Sequence, residues 1–181
     1  TGRNLYVFCA TDPSTSSVTI TDTYLNTWTK ISGAITSNWV FKCENATGGT
    51  GHIFTATPNT TTLYPTIHVV EVTGAATSSS TELYNESVDS GSPFDDSITT
   101  SSDNRLILNF IGTRDTTAGA TTVVYSATGW TKINEETDWD IYMASALFYA
   151  DGTTAGTYNA SFTEASNQTL EAGLSVFAVI P

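Results

Sequence analysis

Apolar residues alternate with threonine, serine or another polar residue in nearly every ordered-looking stretch of the chain. LYVFCA (5–10), SVTITDT (17–23), HIFTAT (52–57) and TIHVVEVT (66–73) show it in the first half. RLILNFIG (105–112), TTVVYS (121–126) and LSVFAVI (174–180) show it in the second. A period of two puts one set of side chains on each face of a strand. Val, Ile, Thr, Tyr and Phe, which suit a pleated surface, dominate these segments. Gly, Asn, Asp, Ser and Pro interrupt them at intervals of roughly 8–12 residues. No window sustains a helical period. MASALFYA (143–150) comes nearest, but the repeat described next requires a strand there. The pattern predicts an all-β fold, an antiparallel β-sandwich or jelly roll.

The chain also repeats itself. NTWTKISG (26–33) returns as TGWTKINE (128–135). With LYVFCA set on LILNFI, Leu5 falls on Leu106 and Cys9 on Phe110. Trp28 falls on Trp130 and Trp39 on Trp139. Farther on, GTGHIFTA resembles AGTYNASFT, and IHVVEV resembles LSVFAV. A unit of roughly 75 residues is too long for a solenoid repeat. The expectation is a single domain over 1–181 made of two similar halves, about 4–73 and 104–180. An irregular segment, 74–103, joins them, with a short strand at 81–88.

Composition narrows the function. Thr and Ser make up about 30% of the 181 residues, and six basic residues face eighteen acidic ones, for a net charge of −12. Such a surface repels phosphate backbones and anionic lipid, which argues against nucleic-acid and membrane-surface partners. No apolar run approaches the roughly 18 residues of a membrane helix. Without an initiating Met or a signal-peptide pattern, the chain reads as a mature form or an excised domain. Two cysteines, Cys9 and Cys43, suggest a secreted protein with one disulfide, two buried free thiols being the alternative. Since Cys9 aligns with Phe110, and Cys43 falls near Phe148 or Tyr149, a bridge would replace an aromatic contact of the second half. Closing a loop of about 33 residues would contribute about 3–4 kcal/mol. Five sequons, at Asn45, Asn59, Asn85, Asn159 and Asn167, are hardly more than this Ser/Thr content produces by chance.

A strand opening Asn-x-Leu-x-Val precedes VTITD-x-x-x-NTWT (18–29). FKCENATGGTGHIFTAT (41–57) and YPTIHVVEVTG (64–74) follow. This order resembles β-sandwich domains of bacterial extracellular proteins and of phage tail or virion-associated proteins. Many of those carry DS-x-GNT-[YW]-T, a YAKNATGG hairpin and a YP-x-I-x-V-x-EY-SG strand. The resemblance covers both halves. It departs at Leu25, where the family has Gly before Asn-Thr. It implies a non-catalytic role at an extracellular, cell or virion surface and brings no catalytic residues.

Candidate chemistry is sparse. His52 and His68 each sit alone on a strand, and no Gly-x-Ser-x-Gly elbow is present, so the chain does not read as an enzyme. Glu135, Glu136, Asp138 and Asp140 crowd a single loop. Four carboxylates suit a structural calcium, though without the spacing of a calcium loop, and a solvated acidic loop is the simpler reading. Asp89, Asp95, Asp96 and Asp103 form a second acidic stretch. In WTKI, Trp28 and Lys30 share one strand face while Thr29 and Ile31 share the other. Tryptophan and isoleucine therefore reach the core together only across a bulge. Trp28, Trp130, Trp39 and Trp139, with Lys30 and Lys132, are the candidate ligand-binding residues, as aromatic plates for sugar rings. The competing reading buries the tryptophans and leaves the lysines outside.

The expected function is that of a structural and adhesive β-sandwich subunit without catalysis. Its partners would be other copies of itself, other surface or virion proteins, and glycans. A dedicated carbohydrate-binding module is the alternative, and a glycan-active hydrolase a distant third. Thr-rich strand edges with few lysines favour pairing with a neighbour's strand.

Overall fold

The alternating segments form fourteen strands, and no helix occurs among the described residues. The computed structural model describes residues 2–11, 15–32, 38–60, 65–90, 93–115, 125–137, 143–164 and 170–181. In chain order the strands are β1 (Gly2–Ala10), β2 (Val18–Asp22), β3 (Thr29–Ser32), β4 (Asn38–Cys43), β5 (Phe54–Pro58), β6 (Thr66–Ala75), β7 (Thr81–Ser90), β8 (Phe94–Thr100), β9 (Arg105–Asp115), β10 (Tyr125–Ser126), β11 (Thr131–Thr137), β12 (Met143–Gly152), β13 (Gly156–Glu164) and β14 (Leu170–Val179). Every ladder is antiparallel. MASALFYA lies within β12 and is a strand.

Four sheets result, in the orders β2-β5, β3-β4-β1-β6, β11-β12-β9-β14-β7 and β10-β13-β8. Each order of the first half recurs in the second, eight strands later. The second half then adds β7 beside β14 and β8 beside β13. The sheets stack in four layers rather than as one two-layer sandwich, because both central sheets are apolar on both faces. On β1, Val7 and Cys9 point outward, to Val18 and Ile20 of β2 and to Trp39 and Phe41. Tyr6, Phe8 and Ala10 point the other way, to Leu108 and Phe110 of β9 and Phe177 of β14. The odd-numbered residues of β9 turn outward again, Ile111 to Phe94 and Phe162, and Ile107 to Ile98.

At the centre, the ring of Phe8 lies 5.5 Å from Phe110 and 5.8 Å from Phe177, while Tyr6 lies 5.2 Å from Phe177. This register shifts the sequence alignment of the halves by one residue. Cys9 and Phe110 face different layers. The residue that shares the outward face of Cys9 is Ile111, and their partners on β4 and β12 are Trp39 and Ala146.

The expected disulfide does not form: Cys9 and Cys43 are both free and buried. Cys43 pairs with Leu5, four residues along β1 from Cys9. That separation is about 13 Å at the rise of a strand, beyond the roughly 7 Å that a bridge tolerates. Burial pushes the Cys9 thiol up to about 12 and also raises that of Cys43. Both remain protonated and unreactive at neutral pH.

Polar cross-ties fix how the central sheets meet. Asn38 Nδ2 donates to the Gly173 carbonyl. Its carboxamide lies against Gly112, where an added Cβ would collide with Asn38 Oδ1 and come 2.9 Å from Ala10 Cβ. His68 Nε2 bonds Ser145 Oγ at 2.8 Å, and that hydroxyl donates to Thr66 Oγ1. At the end of the stack Glu44 Oε1 accepts from Lys42 Nζ, from the Ser80 amide and from Ser80 Oγ, at 2.6–2.7 Å. Burial opposes the Glu44 charge, but these donors prevail and hold its carboxyl at about 2.

Two outcomes are expected. Burial lowers the His68 imidazole from 6.5 to about 4. Between those values the unfolded chain takes up a proton that the folded chain refuses, so stability falls as pH drops through this window, by about 3 kcal/mol in all. Melting curves from pH 7 to 4 should show a shallower loss in His68→Gln than in the wild type; parallel loss would refute this. Asn109, fully buried, has no partner for either side-chain polar atom, and the matching residue of β1 is Val7. Removing an unsatisfied buried amide is worth about 1–3 kcal/mol. Asn109→Val should therefore raise the urea midpoint, and a lower midpoint would contradict the assignment.

Candidate functional site

The most elaborate polar cluster forms where β2 ends. Along β2 every second residue faces inward, Val18 and Ile20 and then Asp22. The third inward position thus places a carboxylate at the edge of an apolar layer, where it must be paired. Asp22 Oδ1 accepts the Tyr24 amide at 2.8 Å, which folds the next residues into an Asx turn, and Asn26 Nδ2 at 3.1 Å. Oδ2 accepts Trp28 Nε1 at 2.7 Å. Burial by itself would raise this carboxyl, but the donors outweigh it and hold it below its ordinary value. His52 Nε2 lies 3.1 Å from Oδ1 and closes the fourth side of the carboxylate.

Asn26 carries the network into the loop between β4 and β5. It donates to the Thr47 carbonyl and accepts the Thr47 amide, both at 2.8 Å. An aromatic row backs the turn. Trp28 meets Phe54 edge-on at 6.1 Å, His52 stacks on Phe54 at 4.1 Å, and Tyr24 meets His52 edge-on at 4.7 Å. Tyr24 Oη donates to the Thr50 carbonyl, and a Cβ on Gly49 would come within 2.6 Å of that oxygen. Glycine is what lets the loop close over the tyrosine.

On this braced turn stands Leu25. Its amide bonds the Asp22 carbonyl at 3.2 Å, its φ is 56°, and it is 90% exposed. The tight turn therefore forms with leucine in a left-handed conformation that favours glycine. Ile53 lies beside the same turn, tied to Thr23 by two hydrogen bonds, and is 61% exposed.

The three tryptophans among the described residues are packed rather than free-standing. Trp28 is half-buried against the outer layer of the first half, Trp130 against that of the second, where its Nε1 donates to the Asn159 carbonyl at 3.0 Å. Trp39 is buried, bonded to Thr11, with Lys30 Nζ 4.5 Å above its ring. The structure thus brings Trp28, Trp39 and Lys30 into one half and places Trp130 and Lys132 in the other. Both WTKI strings carry a register shift, one between Lys30 and Ser32 and one between Lys132 and Asn134. Trp28 packs on the outer layer and Ile31 on the central core, opposite faces of one sheet, whereas Ile133 stays 41% exposed.

Of the acidic loop, Asp138 and Asp140 lie outside the described residues, as does Trp139. Glu135 is already engaged: Oε2 pairs with Lys132 at 2.7 Å and Oε1 accepts the Tyr125 amide at 2.7 Å. Glu136 is exposed. Among the described residues no three potential metal ligands converge. Sequence reading passed over Asp22, Tyr24 and Asn26. The Asp-x-Tyr turn signal at a strand end was available, but His52, thirty residues away, could be placed only by the fold.

Comparisons with protein-family models, with curated proteins and with solved structures gave no match for this chain.

A left-handed conformation costs a residue with a Cβ about 1–2 kcal/mol, against up to about 1 kcal/mol of extra chain entropy for glycine. Leu25, so exposed, recovers little by burial. Leu25→Gly should therefore raise the thermal midpoint by a few degrees, equivalent to about 0.5–1 kcal/mol. A drop would show that Leu25 packs in solution.

Proposed function

We propose that this chain is a non-catalytic structural and adhesive subunit of a cell or virion surface, with the turn at Leu25 as its contact tip. The observation that carries the reading is an apolar side chain kept exposed in a costly backbone conformation, on a turn stiffened by a buried carboxylate. Strained backbone positions cluster at ligand clamps, switch regions and active sites. The likeness of the strand motifs to extracellular and virion β-sandwich domains supports the setting. The buried thiols give no support for an oxidising compartment, so that setting rests on the likeness and on the acidic, threonine-rich surface.

Sedimentation velocity over a range of concentrations, with a glycan array in parallel, tests the proposal. The expected result is a defined assembly that Leu25→Asp dissolves while the melting temperature is kept, with no sugar bound. A monomer that binds a sugar, and loses it on Tyr24→Ala, would make the chain a carbohydrate-binding module. Turnover of any arrayed glycan would make it an enzyme. Either result would overturn the reading.

A further inference from the structure

The two halves differ at one place, and the difference leaves a shaped gap. In the second half the hairpin β7–β8 fills two positions at once. β7 pairs with the outer edge of β14, and β8 pairs with the outer edge of β13. Beneath β8 lie Leu174 and Val176, both buried, grouped with Phe94 and Ile98 respectively. In the first half β6 takes the place of β14 and β5 that of β13, and among the described residues neither has a strand on its outer edge.

Cross-strand partners make the equivalence residue by residue. Val7 stands opposite Val69 as Asn109 stands opposite Val176, and Cys9 opposite Ile67 as Ile111 opposite Leu174. Leu174 and Val176 are 1% and 0% exposed, whereas Ile67 and Val69 are 39% and 38% exposed. The same two positions of the same sheet are thus sealed in one half and open in the other. β6 offers ten residues, without lysine or proline, the usual devices that blunt an edge. Its one charged residue, Glu71, is paired with Arg3 at 3.0 Å.

We propose that this gap is a docking site for a β-hairpin of a partner chain. One strand of the donor extends the sheet beside β6. The other pairs with β5 and lays alternating apolar side chains over Ile67 and Val69, as Phe94 and Ile98 of β8 lie over Leu174 and Val176. Backbone hydrogen bonds supply affinity in strand addition, and alternate side chains supply selectivity. The site is separate from the Leu25 tip and adds a partner class to the surface role.

The chain's own hairpin is the probe. In a variant of the full chain, residues 80–104 are repeated directly ahead of Arg3, the place that Arg105 holds behind the natural hairpin. Tethering raises the effective concentration to the millimolar range. In the Leu25→Asp background, the expected result is a monomer in which the outward amides of β6 exchange at least about tenfold more slowly. The gain should vanish when the added copies of Phe94 and Ile98 are aspartate, or when Val69→Lys is introduced at the exposed acceptor position. Unchanged β6 exchange in the graft overturns the proposal. So does a wild-type dimer that Val69→Lys breaks, since a second copy would then fill the edge. Leu25→Asp leaves these readouts in place, so failure of the tip and failure of the docking site are distinguishable.

Discussion

Everything in this fold depends on the contact between the two central sheets. Each outer sheet covers only one face of the sheet beneath it. The remaining faces, lined by Tyr6 and Phe8 on one side and by Leu108, Phe110 and Phe177 on the other, can be kept from water only by each other. Neither half would be complete alone, because each supplies the wall that covers the other's inner face. The same demand explains the polar groups placed there. Asn38 Nδ2 meets the Gly173 carbonyl and His68 Nε2 meets Ser145 only when the sheets lie in one register, so these bonds select that register among the many that an apolar contact would permit.

Legibility in the sequence followed burial. Where a strand has one dry face and one wet face, as β2 does, the alternation shows both the strand and its inward residues. β8 alternates as regularly, but two of its four inward residues are Asp96 and Thr100, so FDDSITT reads as part of the irregular segment and the strand shows only in the fold. Where both faces are dry, the period disappears. MASALFYA is almost entirely buried, and its near-continuous apolar run therefore suggested a helix as readily as a strand. LYVFCA posed the same difficulty in another form. The strand was plain, but which of Phe8 and Cys9 faces the other half was not, and the alignment of the halves slipped by one residue. The supposed disulfide fell with it, because the separation of Cys9 and Cys43 is set by the β1–β4 register rather than by their spacing in the chain. In WTKI the plain alternation was readable: Trp28 and Lys30 face the outer layer and Ile31 the central core, so both faces of the string find an apolar layer and its tryptophan and isoleucine do not compete for one.

The site at Asp22 was half legible for a similar reason. Its turn is local, written in Asp22, Tyr24 and Asn26. Its second wall, His52 and Phe54, arrives through the pairing of β2 with β5, where Asp22 stands opposite Phe54. Two residues then mark opposite ways of carrying a cost. Asn109 is uncomfortable inside, among apolar neighbours, and Leu25 is uncomfortable outside, in a conformation it does not favour. The first matters to the folded chain alone; the second faces whatever the chain meets.

The position of β14 has a kinetic consequence. It is the last strand in chain order, yet it lies within its sheet, between β9 and β7. During synthesis β7 has no partner in that sheet until some eighty further residues have emerged. The second half therefore closes late, through contacts distant in sequence, which is the slow kind of folding. During that interval the nascent chain presents β7 without its sheet partner, so its yield in a cell should depend on how well chaperones shield that strand.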